Sequence, residues 1–169
     1  ETIAYEKGAL FRSLDKGISF VNKADEMVSK IKFSGKRITY GLSPDCDFPV
    51  DISHERDGSL TLVLDSNVIK TLSYNFSFIK NCIAVSAISI SLGIELESLR
   101  SRIQSFSTPE GRCFVKQVKD ITIIDDTYNA NLTSSLAALD YLSAFSGDGR
   151  KIFVFGDMYE LGPTTDKQH

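Results

Sequence analysis

The segment Ile123-Ile124-Asp125-Asp126-Thr127-Tyr128-Asn129-Ala130-Asn131 runs from apolar residues straight into two carboxylates followed by hydroxyl and amide groups. In an open α/β sheet, ligands bind just beyond the carboxyl ends of the strands, so a strand that empties into such a cluster can hold a polar substrate or a nucleotide. Asp, Thr and Asn are also ordinary turn and N-cap residues, and on pattern alone the two readings are evenly balanced. A second segment, Phe155-Gly156-Asp157-Met158-Tyr159-Glu160-Leu161-Gly162, repeats the order of apolar run, glycine and acid. Two such ends on one sheet would face a shared crevice.

The elements that must position these groups read as follows. Residues 3–14 have helical spacing, with Ile3, Leu10, Phe11 and Leu14 apolar, and Gly17 then precedes a strand over 18–22. A helix over 24–32 and a strand over 37–40 follow, and the alternation suggests α/β. Short strands over 49–52 and 59–64 flank the turn signal Asp57-Gly58 and predict a hairpin. Residues 79–92 form a predicted helix of apolar and small residues, central to the core and ending at Gly93 in a left-handed cap; a second helix spans 95–106. Pro109 and Gly111 in the polar stretch 107–112 mark a junction, which divides the chain into 1–107 and 108–169. Strands are predicted over 113–118 and 121–124. A helix over 132–145 carries Leu132, Leu136, Leu139, Leu142 and Phe145 on one side, and 152–155 reads as a buried strand. Strand, helix and strand in that order imply a right-handed parallel crossover.

Composition excludes several partners. The net charge of −3 has both signs interspersed, so no basic stripe is present to neutralise a phosphate backbone, and nucleic acid is not expected. No apolar run is long enough to cross a bilayer, and no membrane association is expected. Cys46, Cys82 and Cys113 are odd in number and widely spaced, which fits neither a disulfide framework nor a zinc knuckle and suggests a reducing cytoplasm. The chain opens at Glu1 without the basic flank and apolar core of a signal peptide, as a piece starting within a longer protein would.

Residues 124–131, then Ala137-Ala138-Leu139, then the Gly156–Gly162 segment and His169, resemble the last domain of the Mur ligases in order and spacing. Upstream, Gly17-Ile18-Ser19-Phe20-Val21-Asn22 with Ala24-Asp25, and the pair Gly111-Arg112, are similar to the family's central ATPase domain and its exit. The resemblance covers nearly the whole chain. It implies the latter part of a central ATP-binding domain followed by an incomplete Rossmann-like domain. The Gly-Asp-Met-x-Glu-Leu-Gly end is more typical of the branch that joins D-alanyl-D-alanine to UDP-N-acetylmuramoyl-tripeptide than of those adding L-alanine, D-glutamate or the third residue. Activity implied by the resemblance is cytoplasmic, ATP- and Mg²⁺-dependent amide-bond formation through an acyl phosphate, in peptidoglycan precursor synthesis.

Residue by residue, the resemblance implies the following. Lys7 matches a lysine that becomes carbamylated, and a carbamate is an anion that can bind Mg²⁺; a solvated helix lysine is the plainer reading. Arg112 matches an arginine facing the nucleotide phosphates, a role suited to the two parallel hydrogen bonds of a guanidinium; a hinge salt bridge is the plainer one. Asp126 matches an acid that contacts the nucleotide. Tyr128, Asn129 and Asn131, together with Asp157, would shape the cleft where ATP and the incoming dipeptide meet. Asn81 matches an asparagine of the adenine-side helix, although such a residue at a helix start is commonly a cap.

Three departures stand out. Ser77-Phe78 replaces the family's His-Asn pair, Leu132 replaces a proline, and no G-x-x-x-x-G-K-[ST] phosphate loop occurs. Truncation is the simplest account of the missing loop, and the isolated chain is expected to have no ligase turnover. Alternative readings are another Mur ligase or a folylpolyglutamate-type ligase, and a non-catalytic nucleotide- or partner-binding module.

Overall fold

The computed structural model describes residues 2–13, 16–56, 59–145, 147 and 149–169. It divides into two compact units: residues 1–73 with 78–104, and residues 74–77 with 105–169.

In the first unit the predicted opening helix is two short ones, α1 (Thr2–Lys7) and α2 (Ala9–Ser13), interrupted at Gly8. The Gly8 amide still donates to the Ala4 carbonyl and the Arg12 amide to the Gly8 carbonyl, so the path stays nearly helical across a residue that disfavours helix interiors. Leu10 is exposed, and Leu14 and the Asp57-Gly58 turn lie outside the described residues. Strands β1 (Ile18–Asn22), β2 (Lys36–Gly41) and β3 (Phe48–Pro49) form a parallel sheet in that order, with Phe20 opposite Ile38 and Tyr40 opposite Phe48. Helix α3 (Glu26–Ser29) is shorter than predicted. Asp25 caps its start by accepting from the amides of Met27 and Val28, and the Arg37 guanidinium collects the carbonyls of Ser29 and Ile31 at its end.

Strands β4 (Asp51–His54), β5 (Leu60–Leu64) and β6 (Asn67–Ser73) make an antiparallel meander. The β4–β5 pairing is the predicted hairpin. Strand β6 lacks a sequence signal, because its turn, Asp65-Ser66, takes positive φ at both residues (44° and 70°) without the glycine that usually marks one. Helices α4 (Phe76–Ser91) and α5 (Leu96–Gln104) bury Ile79, Cys82, Ile83, Leu99 and Ile103 in one core with Leu60, Leu62, Leu64 and Ile69 of the meander. Helix α4 is thus as central as its apolar sequence predicts. It ends as expected at Gly93 (φ +82°), where the Gly93 amide donates to the Ile90 carbonyl and the Ile94 amide to the Ser89 carbonyl.

The second unit begins with an antiparallel hairpin, β7 (Phe114–Val118) and β8 (Ile121–Asp125), followed by α6 (Leu132–Ala144) and, after a 3-10 turn over Gly162–Thr164, α7 (Thr165–Gln168). Two expectations are corrected here. Residues 152–155 form no strand, and they are exposed, Val154 at 90%. The parallel crossover is therefore not formed: β8 pairs with β7, and no strand among the described residues offers 152–155 a ladder. For the same reason the leucine side of α6 stays open, with Leu132, Leu136 and Leu139 exposed and Tyr141 the buried residue of that helix. Among the described residues no helix is long and apolar enough to cross a membrane.

Candidate functional site

The second unit ties its entry segment to the far end of β8. Gly111 and Cys113 both take left-handed backbone angles, φ +76° and +53°. The Cys113 amide donates to Oδ1 of Asp126 at 3.0 Å, and the Tyr128 amide donates to the Gly111 carbonyl at 3.0 Å. A Cβ on Gly111 would stand 3.2 Å from the Tyr128 nitrogen, so glycine suits both the angle and the close approach. Between these bonds sits Arg112, exposed, its guanidinium carbon 3.8 Å from the centre of the Tyr128 ring. No carboxylate among the described residues pairs with Arg112; the ring, and not a hinge salt bridge, is its neighbour.

Asp125, beside Asp126, is committed to its own loop. Its Oδ1 accepts the Thr127 hydroxyl at 2.8 Å and the Thr127 amide at 3.3 Å, and Lys116 lies 3.6 Å from Oδ2. The Thr127 hydroxyl bond is the main reason its carboxyl is held below the usual range, against a smaller desolvation effect. The pairing of Asp125 with Thr127 is not among the sequence expectations, although the Asp-x-Thr spacing of a side-chain turn is a signal that marks it.

Asn131 is the N-cap of α6. Its Oδ1 accepts the Ser134 amide at 2.9 Å, and the Ser134 hydroxyl accepts the Asn131 amide at 3.0 Å, a reciprocal capping box. Replacing Asn131 by alanine is expected to cost about 0.5–2 kcal/mol, read as a lower melting temperature of the second unit. An unchanged melt would mean that water caps the helix as well as the side chain does. Asn129 is exposed and its Oδ1 accepts the Ala130 amide.

The 156–162 segment reaches the same region through α6. Met158 is buried, with its sulfur 3.7 Å from the hydroxyl of Ser135 in the first turn of α6, and its amide donates to Nε2 of His169 at 2.8 Å. The His169 Nδ1 lies 3.0 Å from the Thr165 carbonyl, so with Nε2 accepting from Met158 it is Nδ1–H that faces that oxygen. Asp157, one residue before this anchor, is exposed. The two acidic segments thus converge on the first turn of α6, although only one of them leaves a strand.

Burial pushes the Cys113 thiol up from 9.0 to about 12, with the Asp126 carboxylate adding to the shift. The folded state therefore keeps this proton where the unfolded chain gives it up. The contribution of this thiol to stability is constant below pH 9 and falls as pH rises from there toward about 12. Cys113 is correspondingly expected to alkylate far more slowly than a free thiol at pH 8; labelling at the free-thiol rate would contradict its burial.

In the first unit Lys7 ends α1, exposed and without an ion pair among the described residues. Mg²⁺ prefers six oxygen ligands in octahedral array. One carbamate cannot supply them, and among the described residues no group of three His, Cys, Asp or Glu side chains could hold a metal. Among the described residues, then, no such cluster makes a magnesium site by itself. Asn81 is exposed in the second turn of α4; the helix-start amide of Ser77 is bound instead by Asn75, so Asn81 is no cap.

Residues 111–169 match the family model described as Mur ligase, glutamate ligase domain. With similarity to relatives running over nearly all of its length, the chain belongs to the Mur ligase family. The UDP-N-acetylmuramoyl-tripeptide–D-alanyl-D-alanine ligase of Haemophilus influenzae is 32% identical over 167 residues, covering 95% of this chain and 36% of that protein. A crystal structure of MurF from Acinetobacter baumannii superposes with a TM-score of 0.84 at 25% identity, covering 98% of this chain and 38% of that one. The fold is shared also with the Thermotoga maritima MurF ligase solved in complex with ADP, at a TM-score of 0.77 and 22% identity, covering 94% of this chain and 37% of that one. The chain therefore spans little more than a third of the length of the relatives it matches.

Proposed function

We propose that this chain supplies part of the central ATP-binding domain, residues 1–107, and the Rossmann-like domain, 108–169, of a ligase that joins D-alanyl-D-alanine to UDP-N-acetylmuramoyl-tripeptide in the cytoplasm. The observation that supports it best is the clip of Gly111 and Cys113 onto Tyr128 and Asp126, which holds an unpaired, exposed arginine at the end of β8.

In the proposed reaction a carboxylate oxygen of the tripeptide attacks the γ-phosphorus of ATP, the bond to the ADP oxygen breaks, and an acyl phosphate results. The amine of D-alanyl-D-alanine attacks the acyl carbon, the carbon–oxygen bond to phosphate breaks, and the nitrogen loses its proton. Arg112 bridges phosphate oxygens and offsets the negative charge that gathers on them. Asp126 and Tyr128 border the nucleotide side, while Asn129, Asn131 and Asp157 border the dipeptide. Asn131 does so with its amide oxygen already committed to the helix cap. Asn81 faces adenine, and Lys7, as a carbamate, would supply one ligand to Mg²⁺.

Exchanging this chain for the homologous stretch of the Haemophilus influenzae ligase tests the reading. The chimera is expected to release phosphate from ATP only when UDP-N-acetylmuramoyl-tripeptide and D-alanyl-D-alanine are both present, with L-alanine and D-glutamate inert as amines. The 169-residue chain alone, which has no phosphate loop, is expected to release none. A folded chimera that is silent with D-alanyl-D-alanine would sink the assignment.

A further inference from the structure

We infer that Tyr128 is a positioning residue for Arg112, and not a direct contact of the nucleotide. The inference rests on the reading of Arg112 as the phosphate-facing group.

The guanidinium carbon lies 3.8 Å from the ring centre, close enough that the flat cation faces the ring. Its N–H donors lie in the guanidinium plane, so a ring against its face leaves the donating edge free for two phosphate oxygens. A carboxylate partner would do the opposite, because it would occupy that same edge. No such partner is present among the described residues, although Asp125 and Asp126 stand two to three residues before Tyr128. Both are drawn elsewhere: Asp125 to Thr127 and Lys116, and Asp126 to the Cys113 amide.

The backbone that carries the ring is fixed. The Tyr128 amide is bound to the Gly111 carbonyl, and the Arg112 amide donates to the Pro109 carbonyl at 3.2 Å, so the backbones carrying both side chains are pinned to each other. The Asp126 bond to Cys113 pins the other side of Arg112. A long arginine side chain costs entropy to order, and the ring supplies a surface that limits its rotamers without consuming its donors. Tyr128 is 69% exposed, which is more than a buried structural aromatic would show and leaves little packing to lose on substitution.

The test uses the 169-residue chain, isotope-labelled, in three forms: wild type, Y128F and Y128L. The Arg112 side-chain NMR signals are expected to carry the upfield ring-current shift and reduced mobility of a stacked cation. Y128F keeps both; Y128L loses both, while amide signals away from residues 109–131 stay in place. R112K is the second variant: its ammonium lacks the planar face, and its terminal protons are expected to lose the upfield shift although Tyr128 is intact. Titrating ATP into the chimeric ligase carrying the same substitutions then reads the consequence, with Y128L binding about two- to fivefold more weakly than wild type and Y128F about equally. Arg112 signals that are identical in wild type and Y128L would overturn the positioning role, as would weakening in Y128F equal to that in Y128L, which would make the phenol a direct contact. If wild-type Arg112 shows the stacked signature but R112A leaves ATP binding by the chimera unchanged, the nucleotide reading fails while the stacking stands.

Discussion

Replacing Arg112 by alanine in the active chimera lowers ATP-dependent phosphate release by about a hundred- to a thousandfold, the usual loss when one preorganised donor to transition-state charge is removed. The expectation follows from where the side chain is held. Arg112 is clamped between two hydrogen-bonded neighbours at the end of β8, with no carboxylate among the described residues competing for its donors. Lysine at this position keeps the charge but loses the planar fork and its fit against the ring, so R112K is expected to recover only part of the rate. The loss should fall on kcat more than on KM if the contact strengthens as phosphate charge develops. Release within threefold of the parent for R112A would mean that the junction arginine is not part of the phosphate machinery.

Leu62→Ala is expected to produce the largest loss of stability in the chain, about 2–5 kcal/mol, read as a lower urea midpoint with an unchanged slope. Leu62 is fully buried at the centre of the meander, in the one core that β4–β6 share with α4 and α5. The cluster around it draws on three elements, Leu60 and Leu64 of β5, Ile69 of β6 and Ile79 and Ile83 of α4, so the cavity left by truncation cannot close by moving one side chain. A cost below about 1 kcal/mol would show that this cluster relaxes freely and is not the packed core described above. Effects at the surface caps, such as Asn131, should be several times smaller.

How much of this was legible beforehand varies with the range of the interaction involved. Helix α4 is legible because the nearly all apolar and small side chains of 79–92 run up to a glycine, and both the helix and its left-handed stop depend on neighbours a few residues away. The β4–β5 pair was read from two β-rich runs. Strand β6 escaped because Asp65-Ser66 makes its turn without the usual glycine. Residues 152–155 misled for the opposite reason: four apolar residues look like a buried strand, but a strand is defined by its ladder, and none among the described residues reaches them. The leucines of α6 misled with them. In the site itself, the acidic and amide cluster was evident, while its division of labour was not. Asn131 spends its oxygen on a cap, Asp125 on a turn, and Asp126 on the junction.

By its residues alone the chain determined its family, through motifs at 124–131 and 156–162 in order, and determined the local stops and starts, Asp25, Gly93 and Asn131 among them, since these depend on atoms within one turn of the backbone. Tertiary structure decided which side chains meet across longer separations: Arg112 with Tyr128, Cys113 with Asp126, Met158 with His169 and the first turn of α6. Such pairs are set by how the chain returns on itself, a balance of loop closure and burial that no local spacing encodes.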